Sequence, residues 1–417
     1  MAASLPDDLL LEVLVRVKDA AALFRCATAC KGWHRLIVNP SFLWRRWPEG
    51  GWDSSSFVGF FILGGGKMNL GSRPFPTPEP WFVPAPRSAL SLSRCGLTSM
   101  VTASHAGLFD RAVPLASRHH LLLLRIQDKG TSFYEDRTIL RFTVCNLFAG
   151  TCDTLPPLNF SSEFKSDYSN GYAILTDADC RSKDGPSSAS LPSKSPFFRV
   201  IIIGSAQQDL QYNLYVISSD KRSWSVQAIC FNNDFSLESF RLFSDVVVCR
   251  GIAHWVFRHH GGFHVLHMNA STYHISMWEF PNATDHFHTG YPCLTLASNG
   301  TLSLLQMRRN LPQVEIWKHY EDHENAASIK NWLCTGTIKL KQPWKAAERR
   351  QRQDLREKCG TLIISDNCGS VYTANIKTGM MKEVADWPER RCIFPGDAMP
   401  LEIDWHTIFV YRLLKYT

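Results

Sequence analysis

Apolar residues recur along this chain at two different periods, and the change between them divides it. Over residues 4–47 the spacing is helical. Leu9, Leu10, Val13, Leu14 and Val17 fall on one stripe, while Leu11 and Val15 fall on a second. Ser4, Pro6 and Asp7 just ahead of the run predict a helix start, with the Ser4 hydroxyl as N-cap. Asp19 predicts the cap of a second helix through 20–30, broken by Lys31-Gly32. Trp33, Leu36 and Ile37 continue on a third piece, and Asn39-Pro40 open a short helix carrying Phe42, Leu43, Trp44 and Trp47. A small surface helix needs one apolar face, so the second stripe on the first helix predicts a partner. The alternative is a helical hairpin packed on its own following domain. Short helices over some forty residues hold a marginal core, and docking would stabilise them.

Beyond residue 88 the period shortens. Runs of β-branched and aromatic residues, closed by Gly, Asn, Asp and Pro, predict strands at 120–127, 139–148, 198–203, 212–218, 245–248, 253–257, 264–268 and 276–280. Further strands are predicted at 301–307, 314–319, 360–365, 371–376 and, at the end of the chain, within 403–414. A degenerate repeat runs through them: an apolar strand ends in Asn or Ser, turns, and leads to a second strand with an aromatic or proline close. Val144–Gly150 in this pattern matches the segments around Leu214-Ser218, Val265-Asn269 and Val371-Asn375. After allowance for insertions the period is roughly 50 residues, that of a four-stranded propeller blade. A sandwich or two-sheet barrel is the alternative. Between the two regions, residues 49–87 hold a Gly- and Pro-rich connector, with 59–63 as a possible first strand and Phe75, Trp81 and Phe82 seeking burial.

The helical region resembles the F-box, the adaptor-binding module of Skp–cullin–F-box ubiquitin ligases. Its carriers are Leu5-Pro6-Asp7-Asp8-Leu9-Leu10, Glu12-Val13-Leu14, Leu23-Phe24-Arg25-Cys26, Cys30-Lys31, Trp33, Leu36-Ile37 and Phe42-Trp44. Cereal-plant F-box proteins look most similar, with an alanine-rich second helix and alternating cysteines; Lys18 departs from the proline usual there. The β-rich region resembles the degenerate propeller behind many plant F-boxes, most regularly at 231–255. The resulting fold class is α+β multidomain: an all-α F-box unit at 1–48, a connector at 49–87 and an all-β propeller-like domain at 88–417. The resemblance implies an adaptor surface built from Leu5, Pro6, Leu9, Leu10, Val13, Leu14, Leu23, Cys26, Trp33 and Leu36.

Composition narrows the classes. A chain of 417 residues with 45% hydrophobic and 20% charged content is a folded protein of two domains by size. Its net charge of +7 is spread rather than striped, so nucleic acid is not the expected partner. No apolar run reaches the length of about 18 residues that suggests a membrane span. Thirteen cysteines lack the spacing of a disulfide framework, and MAASLPDD lacks a basic signal-peptide start, so reduced thiols and a cytoplasmic or nuclear location are expected. Two polar inserts stand out. Residues 181–196 read as a loop. Residues 339–358, KLKQPWKAAERRQRQDLREK, read as a basic helical excursion or as a patch for an acidic partner or nuclear import.

Motifs for chemistry are absent: no phosphate-binding Gly loop, no nucleophile elbow and no C-x-x-C pair. Cys26 and Cys30 share a helix face as packing residues. His264 and His267 point to opposite faces of a strand, and His286-x-His288 lacks a third ligand, so no metal and no cofactor are expected. The resemblance then implies a non-catalytic substrate receptor, with the Skp-type adaptor and through it cullin on the helices and an unknown target protein on the propeller. The alternatives are an enzyme or lectin-like propeller with an incidental helical unit, and an adaptor-bound protein acting outside ubiquitin transfer.

Overall fold

The computed structural model of the chain describes residues 5–17, 19–47, 56–62, 79–85, 93–101, 107, 109, 112–126, 139–159, 170–180, 197–206, 211–229, 241–259, 262–280, 288–297, 300–308, 312–320, 331–341, 353–366, 371–384 and 398–413. Four helices open it: α1 (Asp7–Val15), α2 (Ala20–Ala29), α3 (Lys31–Ile37) and α4 (Pro40–Arg46). Ser4, expected to cap α1, lies outside the described residues, and Pro6 occupies the cap position. The Asp19 carboxylate caps α2 by accepting from the N–H groups of Ala21 and Ala22 at 3.0 and 3.1 Å. The Asn39 side chain accepts from Ser41 N at 2.9 Å, with Pro40 opening α4. The break after α2 falls at Cys30 rather than at Lys31-Gly32. Cys30 is extended, and its sulfur accepts from Trp33 N at 3.4 Å, so it acts as a cap rather than a packing residue.

Six antiparallel sheets follow, one per blade of a six-bladed propeller. The first three strands, β1 (Phe57–Ile62), β2 (Trp81–Pro84) and β3 (Cys95–Gly96), belong to blade 1. Blade 2 holds β4 (Ala112–Arg118), β5 (Leu121–Ile126), β6 (Ile139–Asn146) and β7 (Thr151–Thr154), with β8 (Leu158–Asn159) also on β6. Blade 3 begins with β9 (Gly171–Thr176), passes the single turn α5 (Asp177–Cys180), and adds β10 (Phe198–Ala206), β11 (Gln211–Ser218) and β12 (Ser225–Ile229). Blade 4 runs β13 (Arg241–Cys249), β14 (Ile252–His259), β15 (Gly262–Asn269), β16 (Ile275–Phe280). Blade 5 runs β17 (His288–Leu296), β18 (Leu302–Arg308), β19 (Gln313–Tyr320), β20 (Asn331–Lys339). Blade 6 runs β21 (Gln353–Lys358), β22 (Thr361–Asp366), β23 (Val371–Asn375), β24 (Met381–Glu383). The last strand, β25 (Ala398–Glu402), returns to pair with β1 and becomes the inner strand of blade 1, so strands from both ends of the chain share one sheet.

Three expectations change here. The connector expected at 49–87 contains two strands of blade 1, so the propeller begins at Phe57. Residues 403–414, read as strands, instead hold α6 (Trp405–Leu413). Trp405, Phe409 and Leu413 recur at helical spacing and are all buried, which outweighs the β-propensity of this aromatic stretch. Within the basic insert, residues 353–358 form the inner strand β21, with Leu355, Arg356 and Glu357 buried, so packing overrides their helical propensity. Arg349, Arg350 and Arg352 lie outside the described residues.

The core explains why the strands read as runs rather than as alternation. Buried apolar residues fall into six clusters, one at each junction between neighbouring blades. Successive residues of one strand serve opposite junctions. Val200 and Ile202 face blade 2, while Ile201 and Ile203 face blade 4; Leu121 and Leu123 face blade 3, while Leu122 and Leu124 face blade 1. A strand buried on both faces must be apolar at every position.

The repeat seen in the sequence is a turn device. Asn146, Asn269 and Asn375 each end the third strand of a blade, and each Oδ1 accepts from the N–H groups two and three residues on, at 2.9–3.1 Å. The residue four positions on, Gly150, Tyr273 or Gly379, has positive φ and returns its N–H to the Asn carbonyl at 2.8–2.9 Å. The residue after each Asn donates to the hairpin joining the first two strands, at His120, Gly251 or Gly360. Each turn thereby clips two hairpins of its blade together.

The helices are not a free appendage. One cluster joins Leu14, Leu23, Phe42, Leu43 and Trp47 to α6 and to blades 1 and 2. Trp47 stacks on Trp405 with centroids 6.1 Å apart, Phe409 lies 5.0 Å from Trp47 and 5.8 Å from Phe24, and His34 Nε2 reaches Leu413 O at 3.3 Å. Phe409→Ala removes a ring packed at zero exposure, a change that costs about 3–5 kcal/mol. Hydrogen exchange should then speed up across α1–α4 while inner strands such as β9 and β13 keep their protection. In blade 6, a Cβ at Gly379 would stand 2.0 Å from Lys339 O at φ +67. Gly379→Ala should therefore lower the denaturant midpoint, losing at least about 1–3 kcal/mol.

Candidate functional site

Two surfaces hold the chemistry this fold presents. On α1 the residues divide by face. Leu14 is buried, and Leu11, Val15 and Val17 pack beside it. Leu5, Leu9 and Val13, spaced four apart, stand outward at 49, 53 and 56% exposure. The helix has two apolar faces as expected, but the first stripe divides between them: Leu14 and Val17 join Leu11 and Val15 on the side covered by the chain itself, while Leu9 and Val13 stand on the open side. Asp7 pairs with Arg35 at 3.0 Å and Glu12 with Arg45, fastening α1 to α3 and α4 while that side stays outward.

The residues expected to meet an adaptor separate accordingly. Leu5, Pro6, Leu9 and Val13 are exposed; Leu10, Cys26, Trp33 and Leu36 are half-buried. Leu14 and Leu23 are a correction: at 2% and zero exposure they belong to the helix–propeller core and offer no surface. Trp44, not in the expected set, is 48% exposed beside His406, with ring centroids 5.1 Å apart. Its place in the helical period carried the signal, but periodicity alone does not tell an inner face from an outer one.

The second surface is a ring of polar contacts where the six inner strands finish. Arg118 Nε and Nη2, at the end of β4, reach both Asp179 oxygens at 3.1 and 2.5 Å, while Thr176 donates to the same carboxylate through N and Oγ1 at 2.8 Å. Arg118 also lies 3.6 Å from Glu402, which Lys358 approaches at 3.1 Å. Thr295 donates to Glu357, and Gly360 N donates to the other Glu357 oxygen at 2.5 Å. Arg199 reaches Ala270 O at 2.9 Å, and Cys249 Sγ reaches Gly300 O at 3.4 Å. Every blade is joined to the next at this end of the channel.

Burial sets the ionisation of the ring. It would raise Asp179 and Glu402, yet Arg118 beside Asp179, and Lys358 with Arg118 beside Glu402, hold both carboxyls down at about 2. Glu357 is pushed up by burial to about 7, against which Thr295 and Gly360 are too weak. His120 is driven down to about 4 by burial and then by His119. The three carboxylates bond across blade junctions, to Arg118, Lys358 and Thr295, so they tie the ring together.

The histidines form a separate packed ladder. His254 and His267 face each other across β14 and β15 with Nδ1 atoms 2.5 Å apart, and burial drives His254 down to about 4. His267 packs on Trp278, which stacks on His319 at 3.9 Å. His264 lies against Phe257 instead, on the other face from His267. His286 lies outside the described residues. Among the described residues no group of three or more His, Cys, Asp or Glu is placed to hold a metal ion, and no described helix is long and apolar enough to cross a membrane.

The arrangement is that of a short helical module seated on a six-bladed propeller. Residues 2–47 match the F-box-like family, so the chain carries an F-box-like domain ahead of its propeller. No curated protein matches the chain by sequence. Solved structures resembling it include TolB from Acinetobacter baumannii, at 8% identity over 89% of this chain and 72% of that one, with a TM-score of 0.40. A Fusarium graminearum α-L-arabinofuranosidase shares 11% over 67% and 81%, at 0.37, and a luciferin-regenerating enzyme 10% over 70% and 76%, at 0.34. Likenesses this faint carry no argument about activity.

The ring makes a pH prediction. Glu357 in the folded state, at about 7, keeps a proton that the unfolded chain releases near 4.5, so its contribution to stability falls as pH rises from about 4.5 through 7. Glu357→Gln should gain stability relative to the parent at pH 8 and lose that gain by pH 4. Thermal unfolding of both across this range checks it. Asp179 and Glu402 act oppositely, losing their contribution as pH falls from about 4 towards 2.

Proposed function

We propose that the chain is a substrate-receptor subunit of a Skp–cullin–F-box ubiquitin ligase, the role that cereal-type F-box proteins resembling it suggest. The observation that carries this reading is the F-box-like match at residues 2–47 on a helical unit whose Leu5, Leu9 and Val13 face outward. An exposed apolar row on a module that already has a covered face fits a Skp-type adaptor, with cullin joined through it. The propeller would hold the target protein. Catalysis would then be a matter of proximity: the receptor makes no covalent bond and raises the local concentration of target lysines near the charged ubiquitin carrier. A cytoplasmic or nuclear site of action belongs to the same proposal.

A propeller presents loops on two rims, and loops vary without disturbing the blades, so one rim is the proposed site of target binding.

Adaptor binding is the deciding experiment. Leu9→Arg with Val13→Arg alters exposed positions only, so the fold should persist by circular dichroism. Each apolar anchor in such an interface is worth roughly 1.5–3 kcal/mol, so the double variant should weaken co-purification of a Skp-type adaptor by at least about 100-fold. Val226→Arg, equally exposed but on the edge of blade 3, should leave binding unchanged. If the parent shows no adaptor binding, or the double variant binds as the parent does, this reading fails.

A further inference from the structure

Cys145 and Cys152 stand directly opposite each other on β6 and β7, the third and outermost strands of blade 2. Leu155 N donates to Phe142 O, which makes 142, 144 and 146 the bonded positions of this ladder and leaves Cys145–Cys152 a non-bonded pair. Such pairs bring their Cα atoms to about 4.5 Å, inside the range of about 4.4–6.8 Å that a disulfide spans. Both side chains lie on one face of the sheet, and both thiols are free. Among the described cysteines, these two alone face one another in strand register.

We propose that Cys145 and Cys152 form a reversible cross-strand disulfide when the protein meets a disulfide oxidant of the glutathione type, fastening the outer edge of blade 2. Exposure divides the roles: Cys152 is half-buried and reachable, whereas Cys145 is fully covered. The hydrogen bond between the thiols lowers Cys152 and raises Cys145, so Cys152 is the more readily deprotonated of the two. The Cys152 thiolate attacks glutathione disulfide, forming a protein–glutathione disulfide and releasing one glutathione thiolate. Cys145 then gives up its proton to solvent and attacks the Cys152 sulfur, expelling the second glutathione. The protein loses two protons and two electrons, and glutathione disulfide is reduced to two thiols.

The site lies where a covalent tie changes something. β7 is a short edge strand with Thr151, Asp153 and Thr154 exposed, so little but its ladder holds it. The turn closed by the tie carries Leu147 and Phe148, which pack against the cluster shared with α1–α4 and α6. Oxidation would stiffen the part of the propeller on which the helical unit rests.

The test uses the full chain, reduced and then incubated with glutathione disulfide. Remaining thiols are alkylated, and the digest is read by mass spectrometry without reduction. The expected product is a 145–152 link lighter by two hydrogens, reversed by dithiothreitol, with the amides of β7 exchanging more slowly. Cys152→Ser, at a half-buried position, should fold normally, form no link and show no slowing of β7. Two results overturn the proposal: both thiols still alkylated while exposed Cys30 or Cys334 carries glutathione, or a glutathione adduct on Cys152 that persists without passing to Cys145.

Discussion

The pairing of β25 with β1 is the constraint on which this molecule depends. The first blade of this ring gains its inner strand only when the end of the chain returns to it, and here that strand arrives some 340 residues after its partner in sequence. Everything that holds one blade to the next presupposes this closure. The six apolar clusters are junctions between neighbours, so an open ring would expose one of them to water at full length. The polar ring repeats the same logic where the inner strands finish, with Glu402 of the closing strand shared by Arg118 of blade 2 and Lys358 of blade 6.

Closure also decides where the helical unit sits. Because β25 ends beside the first blade, α6 emerges next to the residues that follow the opening helices. Trp405, Phe409 and Leu413 complete a core that α1–α4 lack by themselves. A module of four short helices has too little apolar volume to be stable alone, and the C-terminal helix supplies what is missing. The consequence is mechanical: the outward row of Leu5, Leu9 and Val13 is held at a set position relative to the propeller by aromatic packing rather than by a flexible tether. For the receptor role proposed above, a fixed relation between adaptor and target would be worth more than reach.

The polar groups divide between structure and surface in a way that argues against reading each charged cluster as a site. Asp179 is buried, Glu402, Arg118 and Lys358 are half-buried, and the four are bonded to one another across blades. Ionic groups in such a place are costly to separate, since removing one leaves its partner charged and dry. The His254–His267–Trp278–His319 ladder is likewise packing, drawn together by ring stacking between β14, β15, β16 and β19.

Much of this was legible in the residues. The helix caps at Asp19 and Asn39, most middle strands of the blades and the Asn turns at 146, 269 and 375 follow from local rules: a side-chain oxygen near free N–H groups, or a strand apolar at every position. Although β13 was foreseen at 245–248, most of the inner strands stayed hidden, such as β17 and β21. The first is interrupted by a register shift between Thr289 and Cys293, and the second is written in charged residues with helical propensity. For the candidate surface, sequence periodicity showed that α1 has two apolar faces but not which one is covered, and the family resemblance placed Leu14 and Leu23 with the exposed set. The chain's own pattern determined the elements and their repeat, because caps, turns and two-sided burial act within a few residues. Only the tertiary structure decided that α6 is a helix, which face of α1 stays open and which charges meet, because each depends on the ends of the chain being brought together.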